Sequence, residues 1–180
     1  LGRLESKKGL LPLLQGYARW REEGADAEHV FPTLVLAGQP GGEGANAICA
    51  FADQQEGVVR TGYVSQDDAP PLMAGAEVFV FPSVYEGFGL PLLEAMASGT
   101  PIAALDLPIN REILGACSEG KPVWIGKFIT APSATEWYHY FVNSVLPDGT
   151  LNRAPYKRGM EAGFVRASTF TWEATAQKTL

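Results

Sequence analysis

Residues Val78–Leu105, VFVFPSVYEGFGLPLLEAMASGTPIAAL, contain the pattern that decides the fold of this chain. An apolar run, Val78–Phe81, precedes a glycine-rich turn, and an apolar helical segment, Gly89–Ser98, follows that turn. Pro91 falls in the first helical turn, where proline is well tolerated. A second apolar run, Pro101–Ala104, comes next. Strand, helix and strand in this order predict a right-handed βαβ unit with two parallel strands.

The same alternation continues along the rest of the chain. The predicted strands are Leu1–Leu4, Thr33–Gly38, Val58–Thr61, Val78–Phe81, Pro101–Ala104 and Val123–Ile125. The predicted helices are Gly9–Glu23, Ala45–Gln55, Asp67–Gly75, Gly89–Ser98, Ile109–Ala116, Ala134–Leu146, Tyr156–Ala167 and Trp172–Leu180. Short apolar strands between helices predict an α/β domain over residues 1–180, with a single doubly wound, Rossmann-like parallel sheet flanked by helices.

Composition limits the classes of partner. The chain has 180 residues, 46% of them apolar, with 14 Lys and Arg against 20 Asp and Glu, which gives a net charge of −6. Nucleic acid and anionic membranes bind basic surfaces, and this chain carries a net negative charge, so we expect neither as its main partner. Two distant cysteines, Cys49 and Cys117, and two isolated histidines, His29 and His139, predict no metal site and a reducing, cytoplasmic location.

Ligands of doubly wound sheets bind beyond the carboxyl ends of the strands. The turns that follow Leu4, Gly38, Thr61, Phe81 and Ala104 are therefore expected at one edge. The helix after Phe81 has apolar residues at positions 90, 92, 93, 95, 96 and 97, which predicts packing on most of its sides. Positions 87, 91, 94 and 98 form a narrow stripe of Gly, Pro, Glu and Ser.

Two carboxylates in this segment predict a polar ligand. Glu94 falls on the narrow stripe, where an ionised carboxylate needs donors such as ligand hydroxyls. Glu86 opens a turn whose glycines let backbone approach a ligand, and the helical amides that follow favour an anion. The first carboxylate would suit sugar hydroxyls, the backbone amides would suit phosphates, and the second carboxylate would suit ribose hydroxyls. The plain alternative is that Glu86 is a solvated loop acid and Glu94 the polar side of an amphipathic helix.

A second motif, Gly42–Ala47, matches G-x-G-x-x-A, and Arg60 ends the next predicted strand, where a 2′-phosphate reader of a nicotinamide enzyme could lie. The match begins four residues after Gly38, too late for the tight turn between strand and helix. No acidic residue ends the strand Val58–Thr61. These departures disfavour a nicotinamide oxidoreductase.

The segment FPSVYEGFGLPLLEAMASGTPI resembles the E-x7-E motif of retaining glycosyltransferases with the GT-B architecture, family four in particular. Glu86 and Glu94 occupy the two glutamate positions. GRLESKKG, Gly2–Gly9, is similar to the opening of that family's donor-binding domain, with Arg3 and Lys8 at its basic pair. The likeness continues through LVLAG, TGYVSQDD and FTWEATA, so it covers nearly the whole chain.

The resemblance implies a role for each of these side chains. Glu86 would bind hydroxyls of the transferred sugar, and Glu94 the ribose hydroxyls of the nucleotide. Arg3 and Lys8 would neutralise the pyrophosphate as it leaves, which stabilises a transition state in which the leaving group gains charge. Further donor contacts are implied at Gly2, Val64, Gly87, Phe88, Gly89 and Leu90. No D-x-D is present, which agrees with a metal-free mechanism without cofactors.

The resemblance also implies a second domain. GT-B enzymes have two Rossmann-like domains, and the acceptor-binding, N-terminal one has no counterpart in residues 1–180. We therefore expect two partners, a nucleotide sugar and the missing N-terminal domain, and we expect nucleotide binding without useful sugar transfer by residues 1–180 alone. Three alternatives stay open: a nucleotide-sugar epimerase, a phosphorylase-like relative and a nucleotide-binding module without catalysis.

Overall fold

The computed structural model describes residues 1–24, 29–118 and 121–171. The strands are β1 (Leu34–Ala37), β2 (Val58–Gly62), β3 (Phe79–Phe81), β4 (Ile102–Leu105), β5 (Gly115–Ser118), β6 (Lys121–Trp124) and β7 (Gly126–Ile129). The helices are α1 (Leu10–Glu23), α2 (Ala45–Ala52), α3 (Ala69–Ala74), α4 (Leu90–Ala97), α5 (Pro108–Leu114), α6 (Ala134–Ser144) and α7 (Lys157–Ser168). Short 3-10 turns cover Ser6–Lys8 and Ala154–Tyr156. No helix of the described ranges is both long and apolar enough to cross a bilayer.

Parallel pairing dominates the strands. β1 pairs with β2, and β3, β4 and β7 form a second parallel sheet in that order. β5 and β6 form a separate antiparallel pair. The predicted α/β class, with parallel strands flanked by helices, is confirmed, while hydrogen bonding divides the parallel strands between two sheets.

β4 lies at the centre of the core, and all four of its residues are buried. Ile102 and Ala104 pack in a cluster with residues of α3, α4 and α5. Ala103 and Leu105 point to the opposite face and pack in a cluster with residues of α1 and α6. Because successive side chains of a strand alternate between its two faces, a continuous apolar run is required where helices cover both.

α4 is less buried than its apolar sequence predicts. Leu92, Ala95 and Met96 are buried, as expected. Leu90 is 55% exposed, and Ala97 is also exposed, on the same side as Glu94. Residues three and four apart share one face of a helix, so one full face of α4 is open to solvent. The predicted packing of positions 90 and 97 was wrong, whereas the other sides of α4 pack against α3, α5, α7 and β4.

Several element boundaries differ from prediction, and one predicted helix is untested. Residues Leu1–Leu4 form no named strand, and only Leu4 makes a bridge, with Pro40. The helix predicted over Ile109–Ala116 ends at Leu114, because the next residue begins β5. The helix predicted over Trp172–Leu180 lies outside the described residues.

β7 was not predicted at all. Its sequence, GKFI, combines a glycine and a lysine with two apolar residues and has no clear strand pattern. Pairing with β4, which sets Ile102 opposite Gly126, creates this strand. A tertiary contact therefore overrides weak local preference.

The contrast between Leu92 and Leu90 gives a test of the fold. Leu92→Ala should lower the free energy of unfolding by about 2 to 5 kcal/mol, because it opens a cavity at a fully buried site. Leu90→Ala, the same change on the same helix, should lower it by less than about 1 kcal/mol. Urea unfolding of both variants measures the difference, and equal losses would contradict the described packing of α4.

Candidate functional site

The 3-10 turn Ser6–Lys8 lies directly against the end of β3. Gly9, which follows the turn, has a φ of 62°, and an added Cβ would lie 2.0 Å from the carbonyl oxygen of Pro82. Only glycine permits this approach. The Val84 N–H donates to the carbonyl of Lys7 at 3.0 Å. These contacts hold the first turn of the chain beside the loop that follows β3.

This approach joins Lys8 to Glu86. The Lys8 Nζ donates to Glu86 Oε1 at 2.5 Å, and the two side chains are only 24% and 13% exposed. An ammonium has three donors and a carboxylate two acceptor oxygens, so one shared bond leaves capacity on both groups for a ligand. The structure brings together two predicted site residues that lie 78 positions apart.

Sequence reasoning missed Ser83, which supports this pair. Ser83 is almost fully buried. Its Oγ lies 3.3 Å from the carbonyl oxygen of Lys7 and 3.2 Å from that of Tyr85, and its hydroxyl can donate to either. It therefore links the residue before Lys8 to the residue before Glu86. A small polar residue two positions after a buried strand was the available signal.

The turn Gly87–Leu90 presents backbone to solvent. Gly87, Phe88 and Leu90 are exposed, and a Cβ added to Gly87 would meet nothing within 4 Å. Gly89 has a φ of 88° and precedes α4, and a Cβ there would lie 3.1 Å from Ile113 Cδ1. The first amides of a helix lack intrahelical acceptors and carry partial positive charge. In α4, however, Pro91 has no N–H and the Leu92 N–H donates to the Gly89 carbonyl at 2.9 Å, so an anion or a hydroxyl oxygen would bind at the amides of the turn that precedes them.

Glu94 lies on the open face of α4, one turn after Leu90. It is exposed and forms no ion pair with any residue that the structure describes.

Gly2, Arg3 and Val64 meet at a cavity of about 520 Å³, together with Gly38 and Tyr63. This cavity lies at the carboxyl ends of β1 and β2, the edge where a ligand was expected. Gly2 and Arg3 also line a neighbouring cavity that reaches Lys8. The predicted residues thus form two adjoining groups. Tyr63 and the backbone of Gly38 were missed as lining groups.

The rival site and a metal site gain no support. Arg60 forms a two-fold contact with Asp53, at 2.7 and 2.9 Å, so its guanidinium is already engaged. Within the described ranges, no three His, Cys, Asp or Glu side chains are grouped as metal ligands.

The partial burial of the Lys8–Glu86 pair predicts strong coupling. In a double-mutant cycle with Lys8→Met and Glu86→Gln, we expect a coupling energy of about 1 to 3 kcal/mol, typical of hydrogen bonds to charged groups. The exposed pair Arg19–Glu23 on α1, 2.7 Å apart, is the control and should give about 0.5 kcal/mol. Urea unfolding measures both cycles. Equal coupling in the two pairs would show that the first pair is solvated.

Comparisons with known proteins identify the family of this chain. The family model described as "Glycosyl transferases group 1" matches residues 1–136. The O-antigen chain mannosyltransferase B of Escherichia coli is 30% identical over 183 residues, which covers 100% of this chain and 43% of that protein. The MMP alpha-(1->4)-mannosyltransferase of Mycolicibacterium hassiacum is 33% identical, covering 96% of this chain and 39% of that protein. The chain thus spans less than half the length of these relatives.

The fold is also shared with solved structures. The structure of Anabaena Alr3699/HepE in complex with UDP and glucose matches with a TM-score of 0.70 and 20% identity, over 99% of this chain and 45% of the other. Such a likeness establishes the fold, which is that of the Rossmann-like domains of GT-B glycosyltransferases. With a family match over most of its length, this chain belongs to the group 1 glycosyltransferases.

Proposed function

We propose that residues 1–180 form the donor-binding domain of a retaining glycosyltransferase that transfers a hexosyl group from a nucleoside diphosphate sugar. The observation that carries the proposal is the Lys8–Glu86 pair beside the open turn before α4, with the cavity of Gly2, Arg3 and Val64 adjoining it. Cation, backbone amides and carboxylates converge at one edge of the strands. Each matches a different part of a nucleotide sugar.

The diphosphate would occupy the region between Arg3, Lys8 and the amides of the turn before α4. The chain as a whole carries a charge of −6, so a bound polyanion needs these local donors. Departure of the nucleoside diphosphate places added charge on the leaving oxygen. Donors already fixed in place stabilise that charge without reorganisation. These protein groups would perform this role without a metal ion.

The two glutamates would bind hydroxyls at opposite ends of the donor. Glu86 is held by Lys8, and its remaining acceptor capacity can bind hydroxyls of the sugar. Glu94 forms no ion pair among the described residues and lies on the exposed face of α4, at the second glutamate of the E-x7-E segment, so we expect it to bind the ribose. Gly2 and Val64 would contact the nucleoside in the adjoining cavity.

The relatives support a hexosyl donor. Two of them are named mannosyltransferases, and one structural neighbour was solved with UDP and glucose. These names describe the related proteins, so binding measurements must identify the nucleotide base and the sugar of the donor for this chain. The acceptor domain would come from polypeptide outside residues 1–180, and residues 1–180 alone would bind donor without efficient transfer.

Two other functions use the same pocket and are separable by assay. A nucleotide-sugar epimerase or a phosphorylase-like relative would turn over its sugar substrate without a glycosyl acceptor. A binding module without catalysis would bind nucleotide but remain inactive in the full-length protein. The family assignment favours transfer.

Calorimetric titration with UDP, GDP, ADP and NADPH in EDTA tests the donor site. We expect one nucleoside diphosphate to bind without metal. Glu94→Gln should lower its affinity roughly tenfold, because one charged hydrogen bond to the ribose is lost. Glu161→Gln, an exposed glutamate on α7, is the matched control and should leave affinity unchanged. Binding of NADPH alone would refute the proposal, and a metal requirement would refute its metal-free form.

The phosphate contacts have their own test. Lys8→Met should lower the affinity for the nucleoside diphosphate at least tenfold, because Lys8 would contact its phosphates. The affinity for the nucleoside, which has no phosphates, should stay nearly unchanged. The neighbouring Lys7→Met is the control, since Lys7 is 55% exposed and pairs with Glu5 at 3.3 Å. Equal losses for the two ligands would place Lys8 away from the diphosphate.

A further inference from the structure

The turn Gly87–Leu90 is held by two contacts with distant parts of the chain. The Phe88 ring meets the Phe170 ring edge to face, with centroids 5.8 Å apart and ring planes at 79°. The Gly89 backbone packs on Ile113 of α5, since an added Cβ would lie 3.1 Å from Ile113 Cδ1. Glycines give a turn wide conformational freedom, so these two contacts decide how firmly its amides are fixed.

Arg166 of α7 binds the carboxyl end of α5. Its Nη2 donates to the Glu112 carbonyl at 2.7 Å, and its Nε donates to the Ile113 carbonyl at 3.3 Å. The last four carbonyls of a helix lack intrahelical donors. The other two carbonyls at this end of α5 accept backbone N–H groups of later residues. Arg166 therefore completes the hydrogen bonding of the helix end that carries Ile113.

The same guanidinium also contacts Phe170. The Arg166 Cζ lies over the Phe170 ring, 4.6 Å from its centroid. A guanidinium is planar, so its face can stack on a ring while its edge donates to carbonyl oxygens. Phe170 therefore contacts both Arg166 and Phe88.

Both supports of the turn thus lead to one side chain. Ile113, whose carbonyl accepts from Arg166, contacts Gly89. Phe170, whose ring lies against Arg166, contacts Phe88. Phe88 is 40% exposed, so its ring has little other packing to restrain it. A change at Arg166 would loosen the turn at two successive residues.

We propose that Arg166 is a positioning residue for donor binding, which fixes the amides of the turn Gly87–Leu90 through Phe170 and Ile113. This inference rests on the proposed function, in which these amides bind the phosphates of the donor. Without Arg166 the turn would keep its binding geometry for only part of the time. The affinity for a ligand falls in proportion to the fraction of the protein that is competent to bind it.

Arg166→Lys and Phe170→Leu test the proposal. Lysine keeps the positive charge but has no planar fork that donates to two carbonyls and stacks on a ring. Leucine keeps an apolar side chain at position 170 without a ring. The matched controls are Arg158→Lys and Phe164→Leu, which change exposed side chains of α7. Phe164 lies near Gly99, at the opposite end of α4 from the turn.

Three properties are measured for the original chain and all four variants. Backbone ¹⁵N relaxation gives the order parameters of the Phe88 and Gly89 amides without ligand. Calorimetry gives the affinities for UDP, GDP and ADP and for the three matching nucleosides. Thermal unfolding shows whether a variant remains folded at the temperature of these measurements.

We expect Arg166→Lys and Phe170→Leu to lower the order parameters at Phe88 and Gly89 from about 0.85 to below about 0.6, with the amides of β4 unchanged. A turn in its binding geometry for about a fifth of the time should bind the nucleoside diphosphate about fivefold more weakly. The affinity for the nucleoside, which does not reach the turn, should stay nearly unchanged. Both controls should match the original chain.

Unchanged order parameters at Phe88 and Gly89 in both variants would overturn the proposal. So would lowered order parameters with an unchanged affinity for the nucleoside diphosphate, since the turn would then not bind phosphates. Equal losses of affinity for both ligands would show a general structural role and also overturn it. If the original chain binds none of the three diphosphates, the proposed function fails instead, and the order parameters alone decide whether Arg166 fixes the turn.

Discussion

β4 packs two of its side chains against α4 and α5 and the other two against α1 and α6, so the whole strand is excluded from water. This two-sided burial requires helices on both faces and parallel neighbours on both edges, which β3 and β7 provide. The position of β3 then sets the loop that carries Ser83 and Glu86. The geometry of the candidate site therefore depends on an apolar strand that contributes no functional group.

The site itself is organised by a close backbone approach. Gly9 against Pro82 brings the first turn of the chain to the loop after β3, and the Lys8–Glu86 pair forms across that contact. The pair fixes a cation within a protein of net negative charge, at the edge where helix α4 begins. Partial burial strengthens the pair and restrains both side chains. Positioning and charge are thus provided by the same contact.

A cavity lies between the two parallel sheets, and it shares the segment Leu1–Arg3 with the proposed donor site. Backbone pairing of Gly2 with Ala37 holds this segment at the top of β1.

Local pattern predicted much of this molecule. The run Val78–Leu105 predicted β3, α4 and β4, because continuous apolar strands and a glycine-bounded helix are specified by neighbouring residues. The two glutamates and the glycine turn were identified for the same reason. Their proposed roles in binding a donor remain predictions.

Tertiary contacts decided the rest. The pairing of Lys8 with Glu86 joins residues 78 positions apart. The packing of Gly9 on Pro82 and the hydrogen bonds of the Lys7 carbonyl set their distance. The exposure of Leu90 depends on which helices cover α4, and β7 exists because β4 offers it an edge. The gap between β1 and β3 is likewise a property of two sheets in space. The sequence by itself determined most of the elements and the chemical groups, whereas long-range packing decided the strand β7 and which groups meet, because a local pattern carries no information on distant neighbours.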